Sequence, residues 1–214
     1  MTSAADRRQS ILDGIAAAAS LALRDPSDIQ LIAISKGRAA EAIEPLIAAG
    51  QRDFGENRVQ EAQEKWPPLL ARYPGVRLHA IGRLQSNKAA DAAKLFAVIH
   101  SLDRRSLLDA LAKAEPARPV YVQVNIGEEA QKGGCAIAEL ADLIAAVRAS
   151  PLPLAGLMAI PPLSVEPAPY FALLAEIARR HDVSGLSIGM SGDYRQAVML
   201  GATAVRIGTA LFED

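Results

Sequence analysis

A single cysteine, Cys135, stands among 214 residues, so no internal disulfide can form. No CxxC pair or His/Cys cluster offers the spacing that a metal site needs. That cysteine count fits a reducing compartment such as the cytoplasm. Surplus charge is missing as well: 23 Lys plus Arg oppose 24 Asp plus Glu, for a net charge of −1 and a pI near 6.3. Nucleic-acid binding draws on clustered cations that neutralise phosphates, and this balance argues against it. Long apolar runs are also absent. The longest charge-free stretch, 149–165, contains Pro151, Pro153, Pro161 and Pro162 and falls short of membrane-spanning length. With 50% hydrophobic, 22% charged and 4% aromatic residues and no biased tract, the chain reads neither as disordered nor as collagen or coiled coil. What remains is a globular protein, expected as one domain over 1–214, whose business is small-molecule chemistry.

At the N-terminus, Arg7 and Arg8 precede the apolar run Gly14 to Leu23, an arrangement that imitates a secretory signal. Asp13 interrupts it, and Ile11, Ile15, Ala18, Ala19 and Ala22 recur at helical spacing. The expectation is an amphipathic surface helix ending before Asp25-Pro26. Beyond it, eight short apolar runs read as strands: 30–35, 53–55, 77–82, 97–101, 120–126, 154–160, 185–190 and 204–208. Seven stretches of helical periodicity lie between them, at 39–49, 57–66, 86–95, 104–114, 137–149, 169–181 and 194–200. Several strands are apolar throughout instead of alternating, which suits a parallel sheet covered by helices. Eight alternating β and α units predict an α/β fold, a (β/α)8 TIM barrel with an extra N-terminal helix; an open doubly wound sheet is the alternative.

Barrel chemistry gathers at the C-terminal ends of strands, where this sequence is polar. The first strand ends in Ser35-Lys36, the second in Gly55-Glu56-Asn57-Arg58, and the third carries His79 and ends in Gly82-Arg83. The seventh ends in Gly189-Met190-Ser191 and the eighth in Arg206-Ile207-Gly208-Thr209. A lysine at such a mouth, between apolar walls, is placed to attack an aldehyde; the alternative is a solvated lysine. Ser191, Gly192, Gly208 and Thr209 offer amides and hydroxyls to a phosphate, or Ser191 and Asp193 simply cap a helix. Arg206 lies within an otherwise apolar strand and must be paired, with Glu56 as a candidate, or must face something that it recognises. A lysine for an aldehyde, a phosphate cradle and an arginine for a ring nitrogen together describe pyridoxal 5'-phosphate.

Seven ordered segments carry a family likeness: LIAISK (31–36), FGENRVQE (54–61), HAIGRLQSNK (79–88), VQVN (122–125), GLMAIP (156–161), LSIGMS (186–191) and VRIGTALF (205–212). The sequence resembles the pyridoxal phosphate homeostasis proteins, relatives of the N-terminal barrel of alanine racemase. The resemblance implies that Lys36 forms a Schiff base with pyridoxal phosphate, that Ser191, Gly208 and Thr209 hold its phosphate, and that Arg206 faces its pyridine nitrogen. It also implies that Asn57 and His79 line the ring, with Met190 and Met158 packed nearby. Glu56 and Arg58 would stand at the mouth or behind it, and Gln85 to Lys88 would cap a helix or touch the ligand. Gly37-Arg38 replaces the family's usual threonine and lysine, and Arg83 replaces a histidine or proline. Lys132 belongs to a segment like the family's Lys-x-Gly, and the chain closes on Phe212-Glu213-Asp214 where relatives often carry a glycine and a basic tail.

Family membership implies a carrier or regulator of the cofactor that holds it reversibly, with pyridoxal-phosphate-dependent apoenzymes as candidate recipients. An arginine at the ring nitrogen disfavours its protonation and weakens the electron sink that catalysis uses. Racemisation needs a base on each face of the substrate carbon, and Lys36 is one; the second, a tyrosine in alanine racemase, comes with a further domain. No turnover is therefore expected, and a low-activity amino-acid racemase or lyase is the alternative. A third reading is a barrel enzyme forming a Schiff base with a phosphorylated sugar or acid. A monomer needing no metal, nucleic acid or membrane completes the expectation.

Overall fold

A computed structural model describes residues 2–212; Glu213 and Asp214 of the closing segment lie outside the described residues. Eight parallel strands close on themselves in sequence order. They are β1 (Gln30–Ile34), β2 (Asp53–Glu56), β3 (Arg77–Ala80), β4 (Val98–Leu102), β5 (Val120–Val124), β6 (Leu154–Ala159), β7 (Leu186–Ser187) and β8 (Ala204–Ile207). Closure is made by β1 against β8, with Gln30 beside Ala204 and Ala33 beside Ile207. The open sheet is thereby excluded.

Helices follow the strands: α2 (Ala40–Ala48), α3 (Val59–Arg72), α4 (Ala89–Leu95), α5 (Arg105–Leu111), α6 (Leu140–Arg148), α7 (Ala168–Arg180), α8 (Tyr194–Met199) and α9 (Thr209–Phe212). Ahead of the barrel runs α1 (Ala4–Leu21), started by a reciprocal cap in which Ser3 and Asp6 bond each other's amides. The α1 face of Ile11, Gly14, Ile15, Ala18 and Ala19 is buried. Gly14 is required there, because a Cβ would stand 2.1 Å from the Tyr194 hydroxyl on α8. No helix among the described residues is long and apolar enough to cross a membrane.

Several strand and helix ends fall short of the expected ones, among them β3 at Ala80 and β5 at Val124, and three differences stand out. Helix α3 continues past Trp66 through Pro67 and Pro68 to Arg72, although each proline removes an amide donor. Burial of Trp66 on one side and Leu69 on the other holds the turn in place. Strand β7 is cut to Leu186–Ser187, since Gly189 adopts φ +92° and turns the chain. Helix α9 was not expected; Leu211 is its buried anchor.

Along each strand one set of side chains faces the helices and the other the barrel axis. The outer set, including Leu31, Ala33, Leu78, Ile99, Val122, Leu157 and Val205, joins the large apolar core. A small separate cluster of Ile32, Ile34 and Ala204 packs inside with Ile81. The other alternating positions are Asp53, His79, His100, Tyr121, Met158, Ser187 and Arg206, and all are buried. Branched aliphatic side chains dominate most barrel interiors, whereas this one also holds the polar Asp53, His79, His100, Ser187 and Arg206.

Candidate functional site

At the C-terminal ends of the strands opens a cavity of about 620 Å³. Lys36, Asn57, Met190, Ser191, Arg206, Gly208 and Thr209 line it together, although they come from four separate βα junctions.

Lys36 follows β1 and is exposed to the cavity. Its neighbours are tied down on both sides. The Ser35 amide donates to Gly55 O (3.0 Å) and its hydroxyl to Glu56 Oε1 (2.7 Å). Lys65 donates to Ser35 O (2.9 Å), and the Gly37 amide donates to Glu61 Oε1 (2.6 Å). Glu56 is fully buried and also meets Lys65 Nζ at 2.7 Å and accepts from Trp66 Nε1 at 2.9 Å. The amine thus hangs from a stiff backbone and swings only through its own side chain. Glu56 stands behind Lys36 and pairs with Lys65; it is not the partner of Arg206.

Arg206 is 4% exposed. It donates through Nη1 to Ser187 O and to Ser187 Oγ (2.7 Å), and through Nη2 to Ala159 O (3.1 Å). Those bonds use part of the guanidinium's donor fork and leave further N–H groups for the cavity. Burial brings its pKa down to about 10, with Asp193 and Tyr121 acting the other way, so it is a cation at neutral pH.

The phosphate-like corner is built where β7 and β8 end. Gly189, in the left-handed region, has its Cβ position occupied by Ala197 at 2.7 Å, and its carbonyl accepts from the Arg206 amide. Ser191 Oγ lies 3.5 Å from the Ala210 amide, which joins the two loops. Neither Ser191 nor Asp193 caps α8 by a side-chain bond; Asp193 Oδ1 accepts from the Met190 amide and closes its own turn. Capping therefore leaves the Ser191 side chain available to the cavity.

Four cationic side chains line the cavity, Lys36, Arg38, Arg83 and Arg206, and no carboxylate among the described residues does. Such a site selects an anion. Arg38 also lies over the Phe212 ring, 5.5 Å from its centroid.

His79 is placed elsewhere. It is 1% exposed and absent from the cavity wall, bonded to Asp53 Oδ1 (3.1 Å) and to His100 Nε2 (2.9 Å) inside the barrel. The reason is register: His79 precedes the end of β3, and Ile81, two residues on, reaches the mouth. Met158 is likewise fully buried and off the wall. Arg58 is exposed and precedes α3, and Gln85 to Lys88 enter α4 through a short 3-10 turn; none of these lines the cavity. Lys132 Nζ pairs with Glu129 (2.6 Å) and donates to Pro161 O (3.0 Å), while its neighbours Gln131 and Gly133 line the cavity. Gln123, inside the VQVN segment but not among the expected site residues, lines it too; its two-residue offset from inward-facing Tyr121 on β5 is the signal that finds it.

The alanine racemase N-terminal domain model matches residues 16–214. A pyridoxal phosphate homeostasis protein of Pseudomonas aeruginosa is 41% identical over 99% of this chain and 96% of its own length. The chain belongs to the pyridoxal phosphate homeostasis protein family. The homeostasis protein of Escherichia coli K12 is also 41% identical, over 94% of this chain and 92% of its own. PipY of Synechococcus elongatus, solved with pyridoxal phosphate bound, has 38% identity and a TM-score of 0.79 over 92% of this chain and 99% of that one. Alanine racemase of Corynebacterium glutamicum shares the fold, with 18% identity and a TM-score of 0.66, and this chain covers 60% of it. The family barrel thus corresponds to only part of the racemase.

Proposed function

We propose that this chain binds pyridoxal 5'-phosphate reversibly, as a Schiff base on Lys36, and serves in homeostasis of that cofactor. One observation carries the reading: a backbone-anchored lysine, a buried arginine and two hydroxyl-bearing loop ends share one cavity that, among the described residues, holds four cations and no lining carboxylate. Ser191, Gly208 and Thr209 fit the phosphate, Arg206 a ring nitrogen that accepts, Asn57 and Met190 the flanks of the ring, and Lys36 the aldehyde. His79 acts from behind the wall. When bound, the cofactor supplies an electrophilic aldehyde and a conjugated ring.

The same geometry supports storage over turnover. A donating guanidinium favours an unprotonated ring nitrogen and so a weaker electron sink. Tyr121 lies under the cavity floor, off its wall, and burial pushes its pKa up, which suits it poorly as a second base. Residues 1–214 acting as one cytoplasmic, monomeric domain that passes cofactor to apoenzymes, without nucleic acid or membrane, complete the proposal.

The test is the visible spectrum of pure protein after pyridoxal phosphate is added and the excess removed, followed by borohydride reduction and peptide mapping. A retained band with the label on Lys36 is expected. Folded protein that retains no band, or a Lys36→Ala variant that keeps the same band, overturns the assignment. Amino-acid turnover by pure protein that disappears in Lys36→Ala overturns the storage role.

A further inference from the structure

Behind Arg206, a continuous line of hydrogen bonds crosses the barrel to its opposite end. Ser187 Oγ accepts from Arg206 Nη1 at 2.7 Å and lies 2.8 Å from His100 Nδ1. His100 Nε2 lies 2.9 Å from His79 Nδ1, and His79 Nε2 lies 3.1 Å from Asp53 Oδ1. Asp53 opens β2, and its carboxylate meets Arg77, whose side chain is 56% exposed at the N-terminal face. Among these residues only Arg206 reaches the cavity.

With both imidazoles neutral, the carboxylate end sets which way every bond points. An ionised carboxylate only accepts and a guanidinium only donates, so His79 must present Nε2–H to Asp53. At a pH where both imidazoles are neutral, His79 then accepts at Nδ1, which puts a proton on His100 Nε2. His100 therefore accepts at Nδ1, and the Ser187 hydroxyl must spend its single proton there. The serine lone pairs are left facing Arg206. With both imidazoles neutral, reversing the line would aim a bare His79 nitrogen at the carboxylate, a contact that burial penalises. His100 is further held by stacking on Tyr121, with centroids 4.3 Å apart and planes at 12°.

We propose that Asp53, His79, His100 and Ser187 are positioning residues: one directed chain that fixes the Arg206 guanidinium and so makes the cavity selective for a ring whose nitrogen is an unprotonated acceptor. Selectivity for such a ring rests on the pyridoxal phosphate reading; the direction of the chain does not. Without the chain, the Ser187 hydroxyl rotates freely and can turn its proton, in place of a lone pair, toward the donating guanidinium. Orientation of the remaining N–H groups toward the cavity then slackens.

Two measurements test this. In ligand-free protein with 15N-labelled imidazoles at mildly alkaline pH, a through-bond N–N coupling should link His79 Nδ1 and His100 Nε2, with the proton on His100. A proton on His79 Nδ1, or no coupling, overturns the directed chain whether or not the protein binds a cofactor. The second measurement compares the affinity for pyridoxal phosphate with that for its N-methylated analogue, whose ring nitrogen cannot accept. The unsubstituted protein should favour the former by about tenfold or more, and Ser187→Ala and His100→Phe should bring the ratio close to one. A merely structural lesion weakens both ligands alike and leaves the ratio in place, which overturns the positioning role. Should a variant fail to fold, the coupling in the unsubstituted protein and its own affinity ratio still decide. Failure to bind either ligand at Lys36, with the coupling present, sinks the cofactor reading instead.

Discussion

His100 carries a consequence that reaches beyond the ligand. Burial holds its pKa well below the ordinary 6.5, with His79 and Arg206 adding to the effect; the groups facing it are His79, Ser187, Tyr121 and Arg206. A base whose folded pKa is depressed stays neutral in the native state, while the unfolded chain takes up a proton as pH falls through 6.5. The unfolded state then binds more protons, so stability is full above that pH and declines below it. The slope contributed by this one group approaches ~1.4 kcal/mol per pH unit. Denaturant midpoints measured across this range should show the decline, and His100→Phe should flatten it. Asp53 responds at lower pH: burial raises its pKa, but bonds from His79 and Arg77 outweigh that and the net shift is downward. None of this was legible in the sequence. Lys36, Ser191 and Arg206 announced themselves by standing at strand ends, whereas His79, His100 and Ser187 meet across separations of 21 and 87 residues. A lone histidine in an apolar strand gives no sign of which other strand supplies its partner. The family resemblance placed His79 at the ring, one layer higher than it lies.

Elements matter here for how they hold that strand-end chemistry. The first turns of α3 carry Glu61 and Lys65 back to the segment beside Lys36, and Trp66 closes the group from below. Lys65→Met should leave Glu56, with a fully buried side chain, as an unpaired charge and release the Ser35 carbonyl. A loss of about 3–5 kcal/mol is expected, read by chemical denaturation, together with weaker retention of pyridoxal phosphate as the Lys36 backbone loosens. A stability loss below ~1 kcal/mol would mean that Glu56 escapes burial by other means. Most element positions were readable from periodicity and turn residues, since apolar runs and Gly, Pro or Asp boundaries act locally. The misplaced ends have different causes, tertiary anchoring in α3 and a local glycine turn in β7. Buried Trp66 and Leu69 carried α3 through two prolines, and the Gly189 turn shortened β7.

For the whole molecule, the fold separates two kinds of work. Apolar packing between strands and helices forms the large core, so the barrel axis is released from supplying most of the stability and can hold a polar chain. The apolar core was legible because the strands read as continuous hydrophobic runs; the polar axis was not, because inward and outward positions are distinguished only once the barrel closes. Charge is divided in the same manner. A chain of net charge −1 concentrates four cations around one cavity, so anion affinity is local. Ligand binding to this native cavity, and not to the unfolded chain, must then raise global stability by mass action. Pyridoxal phosphate at about a hundredfold its Kd should add ~2.7 kcal/mol, or roughly 5–11 °C in Tm for a chain of this size. Lys36→Ala should lose most of that shift at the same concentration while keeping a small phosphate-driven part, because Ser191, Gly208 and Thr209 remain. Inorganic phosphate alone should reproduce the small part in both proteins. Equal shifts by pyridoxal phosphate in both would place the dominant binding energy in the anion corner and remove Lys36 from the centre of the site.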